Sequence, residues 1–229
     1  YQVLRTLQRR VKHWKATEGP EKVVIFRQSV PAGQQGLSDF SHPNTDITIQ
    51  GKMFTHLLYQ FRFAYSGWRY VQIILGGESY SALADGLQSA LSLAGGSPVE
   101  HRTDSLSAAF NNHAEEQKLT QAYEALCAHY NLRATRNNLG VSHENGAIEC
   151  AHGSFKRRLD QALKLRGSAD FAAIKDYQTF LDKVTDRLNK RCQSRFKDEQ
   201  LALQALPGER FMDYSELSLK VTRSSTLEV

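Results

Sequence analysis

Cysteine is scarce in this chain of 229 residues, and long apolar runs and low-complexity tracts are absent. The three cysteines, Cys127, Cys150 and Cys192, lie far apart and form no CxxC pair. This pattern is typical of reduced thiols in a cytosolic protein and argues against a zinc site. No apolar run approaches the ~18 residues of a membrane span, and no signal peptide is visible. We therefore expect a cytoplasmic protein with no membrane partner.

The charge balance is mildly basic, because 29 Lys and Arg residues stand against 24 Asp and Glu residues, a net charge of +5. The excess suggests nucleic acid as a partner without establishing it. Hydrophobic residues make up 41% of the chain, which is enough for a real core in one large domain, alone or with short appendages. The chain begins without Met and within a helical pattern, so we expect a fragment of a longer protein.

Residues 1–16 carry a heptad-like apolar stripe formed by Leu4, Leu7, Val11 and Trp14. Basic residues surround that stripe: Arg5, Arg9, Arg10, Lys12 and Lys15. One interpretation is a connecting helix that packs on its neighbours and leaves its charges in solvent. The other is a basic linker helix that contacts DNA or a second subunit. Both remain open at this point.

Alternation and turn residues then predict a mixed α/β domain. Three successive strands with short links indicate an antiparallel meander, and helices and strands alternate after it, which implies a mixed sheet with helices on its faces. The expected strands are 23–26, 37–41 with 46–50 as its return or continuation, 54–65, 69–75, 98–103, 132–135 and 217–222; the expected helices are 79–93, 119–130, one from about 148, and 170–189. The last strand has no visible partner, so we expect it to open a further β module.

The stretch from Asn138 to Leu159 combines turn chemistry with an amphipathic pattern. Asn145-Gly146 predicts a turn, after which apolar residues recur at helical spacing. Glu149 is then expected at the helix start, with Lys156 two turns further along nearly the same face and Gly153 leaving a gap between them. This is a plausible surface for a metal ion and a phosphate backbone. Taken alone, the pattern favours a surface amphipathic helix with a basic end.

Three carboxylates stand where the predicted elements meet: Asp39 in the first core strand, Asp104 at the end of the fourth and Glu149 at a helix start. Each has an ordinary explanation, since Asp39 can cap a bulge, Asp104 can cap the following turn, and Glu149 suits a helix N-terminus. If the first and fourth strands are neighbours, however, the two aspartates lie side by side. Clustered carboxylates are the ligands of two-metal phosphodiester chemistry.

The order Asp, Asp, Glu resembles that of DDE transposases and retroviral integrases. The segment Asn145 to Glu149 is similar to the Gly-x-x-Glu motif whose Glu is their third carboxylate. Asp104 and Glu149 are 149 − 104 = 45 positions apart, more than is usual in retroviral integrases. More closely, four segments resemble the IstA-type transposases of bacterial insertion sequences: TLQRRVKHWKATEGPEKVVIFRQ, PAGQQGLSDF, HRTDSLSAAF and ENGAIECAHGSFKRRL. The resemblance covers essentially the whole chain.

The resemblance implies a ribonuclease H-like five-stranded mixed sheet flanked by helices. It implies a basic linker helix and strand in 1–30, a catalytic core in 31–168, a helical extension in 169–206 and a truncated β module in 207–229. The activity implied is two-metal 3′-end cleavage and strand transfer at terminal inverted repeats. Two Mg²⁺ ions, with Mn²⁺ as a substitute, are expected on Asp39, Asp104 and Glu149.

The implied partners are DNA, both as terminal repeats and as target, an IstB-type ATPase helper, and further copies of the chain, at least a dimer in function. A bacterial, nucleoid-associated location follows. Lys156 matches the basic residue that contacts DNA in relatives two turns after the third carboxylate. The other residues expected to contact DNA are Arg157, Arg158, His143, Arg9, Arg10 and Lys12.

Two departures from the pattern are Ser105, where many members have Asn, and Ala32, where Gly is usual; neither removes a metal ligand. Asp46 and Glu78 are the carboxylates most easily mistaken for ligands, because both lie at strand–loop junctions. Two other functions stay open. One is a ribonuclease H-like nuclease that hydrolyses without joining, a class that normally uses an additional carboxylate. The other is a catalytically dead DNA-binding or assembly protein.

Overall fold

The computed structural model describes residues 2–18, 30–103, 113–135 and 142–212, with the backbone alone for 2–3, 15–16, 113–120 and 142–152. Along the chain the elements are α1 (Gln2–Thr17), β1 (Gln35–Ser41), β2 (Thr48–Ile49), β3 (Lys52–Met53), β4 (Leu57–Phe63), β5 (Arg69–Ile74), α2 (Tyr80–Ala94), β6 (Glu100–Thr103), α3 (His113–His129), β7 (Arg133–Thr135), α4 (Ser142–Arg166), β8 (Asp170–Phe171), α5 (Ile174–Asn189), a short 3₁₀ turn (Lys190–Cys192) and α6 (Gln193–Ala202). The strands predicted at 23–26 and 217–222 lie outside the described residues.

The main sheet has five strands in the order β5-β4-β1-β6-β7. Strands β5, β4 and β1 are antiparallel neighbours, whereas β1–β6 and β6–β7 are parallel pairs. This arrangement confirms the predicted meander and the mixed five-stranded sheet. A parallel pair needs a crossover. Helix α2 lies between β5 and β6 in the chain, so β6 can pair in parallel with β1, and α3 lies between β6 and β7. The segment 46–50 does not continue β1: its strand β2 belongs to a separate three-stranded sheet of order β3-β2-β8.

Helices cover both faces of the main sheet. Successive residues of β4 point to opposite sides, and both sides carry buried apolar residues. Tyr59 and Phe61 pack with Leu83 and Leu87 of α2 and with residues of α3. On the other face, Leu58 packs with residues of α4 and α5: Phe155, Leu159, Tyr177 and Leu181. Gly86 lets α2 approach the sheet closely, since a Cβ there would lie 2.5 Å from the Tyr59 ring.

Helix α2 begins and ends where the sequence predicts. Ser79 is its N-cap and accepts a hydrogen bond from the backbone N–H of Ala82. Gly95 closes the helix in the left-handed region, at φ 83°. Both signals are local to the helix ends, and the predicted range 79–93 agrees with the observed one to within one residue.

Helix α6 closes the end of the sheet at which β1 begins. Glu199 is fully buried, and its two carboxylate oxygens accept hydrogen bonds from the backbone N–H groups of Gly33 at 2.9 Å and Ser66 at 2.7 Å. Just beyond the helix, Gln204 pairs with Ser97 in an isolated bridge. These contacts fix the C-terminal helices to the sheet.

Three predicted helix starts were wrong. Helix α4 begins at Ser142, so Glu149 lies two turns inside it instead of at its start, and Asn145-Gly146 form no turn. One helical Gly costs only ~1 kcal/mol, which the burial of Phe155, Leu159 and Leu163 further along the helix outweighs. Helix α5 begins at Ile174, because Asp170 and Phe171 first pair with β2 as a parallel strand. Helix α3 begins at His113, earlier than predicted.

Candidate active site

Asp39 lies on β1 at the end of the ladder that joins this strand to β6. It is half-buried between two buried neighbours, Ser38 and Phe40. The last pair of the parallel ladder is Ser38 with Thr103. The next residue along each chain is therefore Asp39 on one side and Asp104 on the other. Asp104 itself lies outside the described residues, but the strands that lead to the two aspartates are neighbours, as the prediction requires.

Glu149 and His143 both lie in α4, where the structure describes the backbone alone. The position of this helix is fixed further along. Asp160 accepts hydrogen bonds from Asn44 and Thr45, each at 2.9 Å, which ties α4 to the loop that follows β1. Glu149 precedes Asp160 by 160 − 149 = 11 residues, about 16 Å along the axis. The loop after Asp39 is thus bonded to the helix that carries Glu149.

The basic residues of α4 differ in exposure. Lys156 is half-buried, whereas Arg157 and Arg158 are exposed. Arg158 donates to the side chain of Gln161 at 3.1 Å. The gap predicted at Gly153 is partly filled, because an Arg157 guanidinium nitrogen would be only 3.3 Å from a Cβ at that position. Lys156 follows Glu149 by seven residues, about two helical turns, and so lies nearly on the same face of α4. Of the three basic residues it is the one closest to the face of Glu149.

Glu78 lies in the loop between β5 and α2 and is one of the two carboxylates that the sequence predicts are not ligands. The structure brings it close to Asp39. Burial and the neighbouring Asp39 carboxylate raise the pKa of Glu78, while His42 lowers it. The register explains the proximity, since Ser41 near the end of β1 aligns through Leu58 with Ile73 near the end of β5. The only sequence signal was its position at a strand–helix junction, directly before the Ser79 cap.

The basic residues of α1 are exposed, namely Arg9, Arg10 and Lys12. Its apolar stripe is exposed as well: Leu4, Leu7, Val11 and Trp14 are between 45% and 59% accessible. Within the described residues, α1 is therefore not a helix that buries this stripe on its neighbours. The alternative, contact with DNA or a second subunit, stays a prediction.

The donor chemistry around Asp39 suits a hard divalent cation. A carboxylate that raises the pKa of a second carboxylate marks local negative charge, and oxygen ligands are those that Mg²⁺ prefers. Among the described side chains, no three His, Cys, Asp or Glu residues are grouped to hold a metal ion. Of the three expected ligands, only Asp39 has a described side chain. Nor does any described helix have the length and apolarity to cross a membrane.

No family model matches the chain. An uncharacterized protein of Sinorhizobium fredii, y4jA/y4nE/y4sE, is 47% identical over 225 residues, which cover 97% of this chain and 45% of that protein. The chain thus spans less than half the length of this curated relative.

Among solved structures, a chain of the simian T-cell lymphotropic virus intasome in complex with PP2A regulatory subunit B56 gamma is similar with a TM-score of 0.53 at 16% identity, over 91% of this chain and 71% of that one. The HTLV-2 integrase catalytic core domain in complex with magnesium gives 0.49 at 18% identity, over 71% and 90%. The BIV integrase catalytic core domain gives 0.49 at 15% identity, over 74% and 97%.

The intasome match and the order of the five strands define the fold class. It is a ribonuclease H-like fold, a five-stranded mixed sheet flanked by helices. Identity this low establishes the fold alone. The closer resemblance to IstA-type transposases stays a prediction.

Proposed function

We propose that this chain is the catalytic core of a DDE transposase, a polynucleotidyl transferase that cuts the 3′ ends of an insertion sequence and joins them to target DNA. One observation carries the proposal. In a ribonuclease H-like sheet, the parallel pairing of β1 with β6 places the residue before Asp39 directly beside the residue before Asp104. Two acidic residues at adjacent strand ends are what metal-assisted phosphodiester chemistry requires.

Asp39, Asp104 and Glu149 would hold two Mg²⁺ ions, for which Mn²⁺ can substitute. Such ions, when bound, lower the pKa of an attacking hydroxyl or water and neutralise charge on the leaving oxygen. The chain's own contribution is to present carboxylates from rigid elements. Asp39 is held by its buried neighbours on β1, and α4 is held by the bonds from Asp160 to the loop after that strand.

Both proposed steps are exchanges of one phosphorus–oxygen bond for another. In the cut, a water oxygen bonds to phosphorus while the bond to the 3′ oxygen breaks, and the proton lost by water is balanced by one gained at the new 3′ hydroxyl. In the joining step, that hydroxyl bonds to a target phosphorus and displaces the target's own 3′ oxygen. No external energy source is needed, because the number of phosphodiester bonds is conserved in the joining step.

The proposed DNA contacts rest on the resemblance to IstA-type transposases and on charge. Lys156 would bind backbone phosphate near Glu149, and the remaining contacts would come from Arg157, Arg158, His143, Arg9, Arg10 and Lys12. Assembly on paired ends would need at least two copies and an IstB-type ATPase helper. The division into 1–30, 31–168, 169–206 and 207–229, and a bacterial nucleoid-associated location, belong to the same proposal.

A nuclease that hydrolyses without joining is the second candidate, and Glu78 is the observation that favours it. Ribonuclease H-like nucleases normally use a further carboxylate, and burial together with the neighbouring Asp39 carboxylate raises the pKa of Glu78. The basic helix α1, which such a nuclease does not need, favours the transposase.

Strand transfer from a pre-cut terminal-repeat duplex into plasmid DNA separates the candidates. The full-length protein that contains this chain is incubated with labelled duplex and Mg²⁺, and joined and hydrolysed products are resolved on a gel. Joined product that is lost in Asp39→Asn and retained in the matched loop variant Asp46→Asn supports the transposase. Hydrolysis without any joined product supports the nuclease, and no metal-dependent product of either kind leaves a DNA-binding role.

A further inference from the structure

Four polar side chains form a continuous hydrogen-bonded chain through the interior, from β4 across β1 and β6 to α3. The hydroxyl of Tyr59 lies 2.6 Å from Oγ of Ser38, which lies 2.7 Å from Nε2 of His101. On the other side of the ring, Nδ1 of His101 lies 2.7 Å from the hydroxyl of Tyr123. All four residues are at most 4% exposed. We name them the buried polar chain.

The protons of this chain can be assigned from its far end. The Tyr123 hydroxyl also lies 3.3 Å from the backbone carbonyl of His101, and a carbonyl can only accept. Tyr123 therefore donates there and accepts from Nδ1–H of His101. Nε2 must then accept from Ser38, and Ser38 from Tyr59. With this assignment His101 is neutral, its proton is on Nδ1, and each hydrogen bond of the buried polar chain has one donor and one acceptor.

Burial keeps the imidazole neutral, since it lowers the pKa of His101 to about 3. Protonation would put a donor on Nε2, reverse the Ser38 hydroxyl and leave the Tyr59 hydroxyl facing another donor. The ring is also confined laterally, because Phe61 stacks on it at a centroid distance of 6.2 Å and fills the space beside Gly36. His101 is thus held in one place and one tautomer.

The location of this chain gives it a consequence for the site. Ser38 directly precedes Asp39, and His101 precedes Asp104 by 104 − 101 = 3 residues. The Ser38–His101 bond joins β1 to β6 behind these positions, in the part of the ladder where Gly36 pairs with His101 and Ser38 with Thr103. A slip of one residue would turn every side chain to the opposite face and break the bond.

We propose that His101 is a positioning residue, whose two ring nitrogens fix the register and spacing of the strand ends that carry Asp39 and Asp104. This inference rests on the proposed function, because it assigns His101 a role in placing metal ligands. His101 is fully buried, so its ring is not offered to a ligand at the surface. Its effect reaches the site through β1 and β6, with Ser38 and Tyr123 as its two partners.

The test is Mn²⁺ binding to the full-length protein, measured from free Mn²⁺ by electron paramagnetic resonance. Ser38→Ala and Tyr123→Phe each remove one partner of His101. Tyr130→Phe is the matched control, because it removes a buried hydroxyl of the same helical region that bonds Gln88 at 2.8 Å and lies outside the buried polar chain. Thermal unfolding is recorded for each variant.

We expect Ser38→Ala and Tyr123→Phe to weaken Mn²⁺ binding by roughly tenfold, and Tyr130→Phe to leave it unchanged despite a similar loss of thermal stability. Ser38→Thr keeps the hydroxyl and should bind Mn²⁺ like the wild type. The comparison of Ser38→Ala with Ser38→Thr therefore tests the proposal even if Tyr123→Phe does not fold. Equal Mn²⁺ affinity in Ser38→Ala and Tyr130→Phe overturns the positioning role while leaving the proposed function intact. If Asp39→Asn binds Mn²⁺ as tightly as the wild-type protein does, both the positioning role and the proposed function are overturned.

Discussion

The side-chain amide of Gln178 on α5 bonds to Ile73 on the outermost strand of the sheet as a neighbouring strand would. Its Oε1 accepts from the backbone N–H of Ile73 at 2.9 Å, and its Nε2 donates to the carbonyl of Val71 at 3.0 Å. Asn189, at the other end of α5, makes the same pair of bonds to Arg69. An uncovered edge strand offers these groups to another chain, so α5 both packs on the sheet and ends it.

Replacing Gln178 by Ala should therefore destabilise the fold and favour association. Two backbone groups of β5 lose partners in a partly buried groove, which we expect to cost about 1–3 kcal/mol in the free energy of unfolding. The double variant Gln178→Ala/Asn189→Ala should also sediment as larger species. Urea unfolding and sedimentation velocity measure the two effects. Thr179→Ala, on the exposed side of the same helix, is the control, and equal behaviour of the two single variants would contradict the role given to Gln178.

The repulsion between Asp39 and Glu78 gives a second prediction. Asp39→Asn removes a charge with little change in volume, so without divalent metal we expect thermal stability to be unchanged or slightly higher. The pKa of Glu78 should fall toward its ordinary value, because one of the causes that raise it is gone. Calorimetry and carboxyl titration by nuclear magnetic resonance provide the measurements. A clear loss of stability in Asp39→Asn would mean that this carboxylate has a structural role.

Local chemistry made α2 predictable, whereas tertiary contacts decided the parts that were missed. Ser79 and Gly95 mark the helix ends by their own conformations. Asn145-Gly146 is an equally clear local signal, yet α4 passes through it because burial further along the helix outweighs one glycine. The sequence predicts a helix at Asp170, because the pairing of this residue with β2 depends on a segment 122 positions away.

The candidate site divides in the same way. The order Asp39, Asp104, Glu149 and the adjacency of β1 and β6 followed from motif and topology. The proximity of Glu78 to Asp39 did not, because it depends on the register that aligns the ends of β1 and β5 through β4. The buried polar chain was equally invisible, since Ser38 and His101 show their role only when β1 and β6 are paired.

Asp170 gives a prediction about pH. Hydrogen bonds from the Thr48 hydroxyl and the Gly51 backbone N–H lower the pKa of this carboxyl in the folded state. The ordinary pKa of Asp170, 3.8, applies in the unfolded state, which therefore binds the proton first as the pH falls. The stabilisation by the ionised Asp170 carboxylate is complete above this pKa and is lost as the pH falls through the lower pKa of the folded state. Asp170→Asn should lower the melting temperature at pH 7, and the difference from wild type should shrink below about pH 4. A difference that stays constant down to pH 2 would contradict this linkage.

Lys156 gives the last prediction, which concerns how DNA is held. It lies seven residues after Glu149 on α4, about 10.5 Å along the axis and nearly on the same face. It is half-buried, so its stem lies along the protein surface. A cation at that distance would meet the backbone a few nucleotides from a phosphate held at Glu149. Contact with phosphate carries no base information, so the loss should be similar for every DNA sequence.

We therefore expect Lys156→Ala to weaken binding of terminal-repeat and unrelated duplexes to the same extent, and to reduce the slope of log affinity against log salt by roughly one. The measurement is fluorescence anisotropy of the full-length protein across a salt series. Lys164→Ala is the matched control, because Lys164 is an exposed lysine two turns further along the same helix. If Lys156 only solvates the helix surface, its removal changes stability by under ~0.5 kcal/mol, and the two variants will share the wild-type slope. A changed slope in Lys156→Ala alone places the DNA backbone along the face of α4 that leads to Glu149.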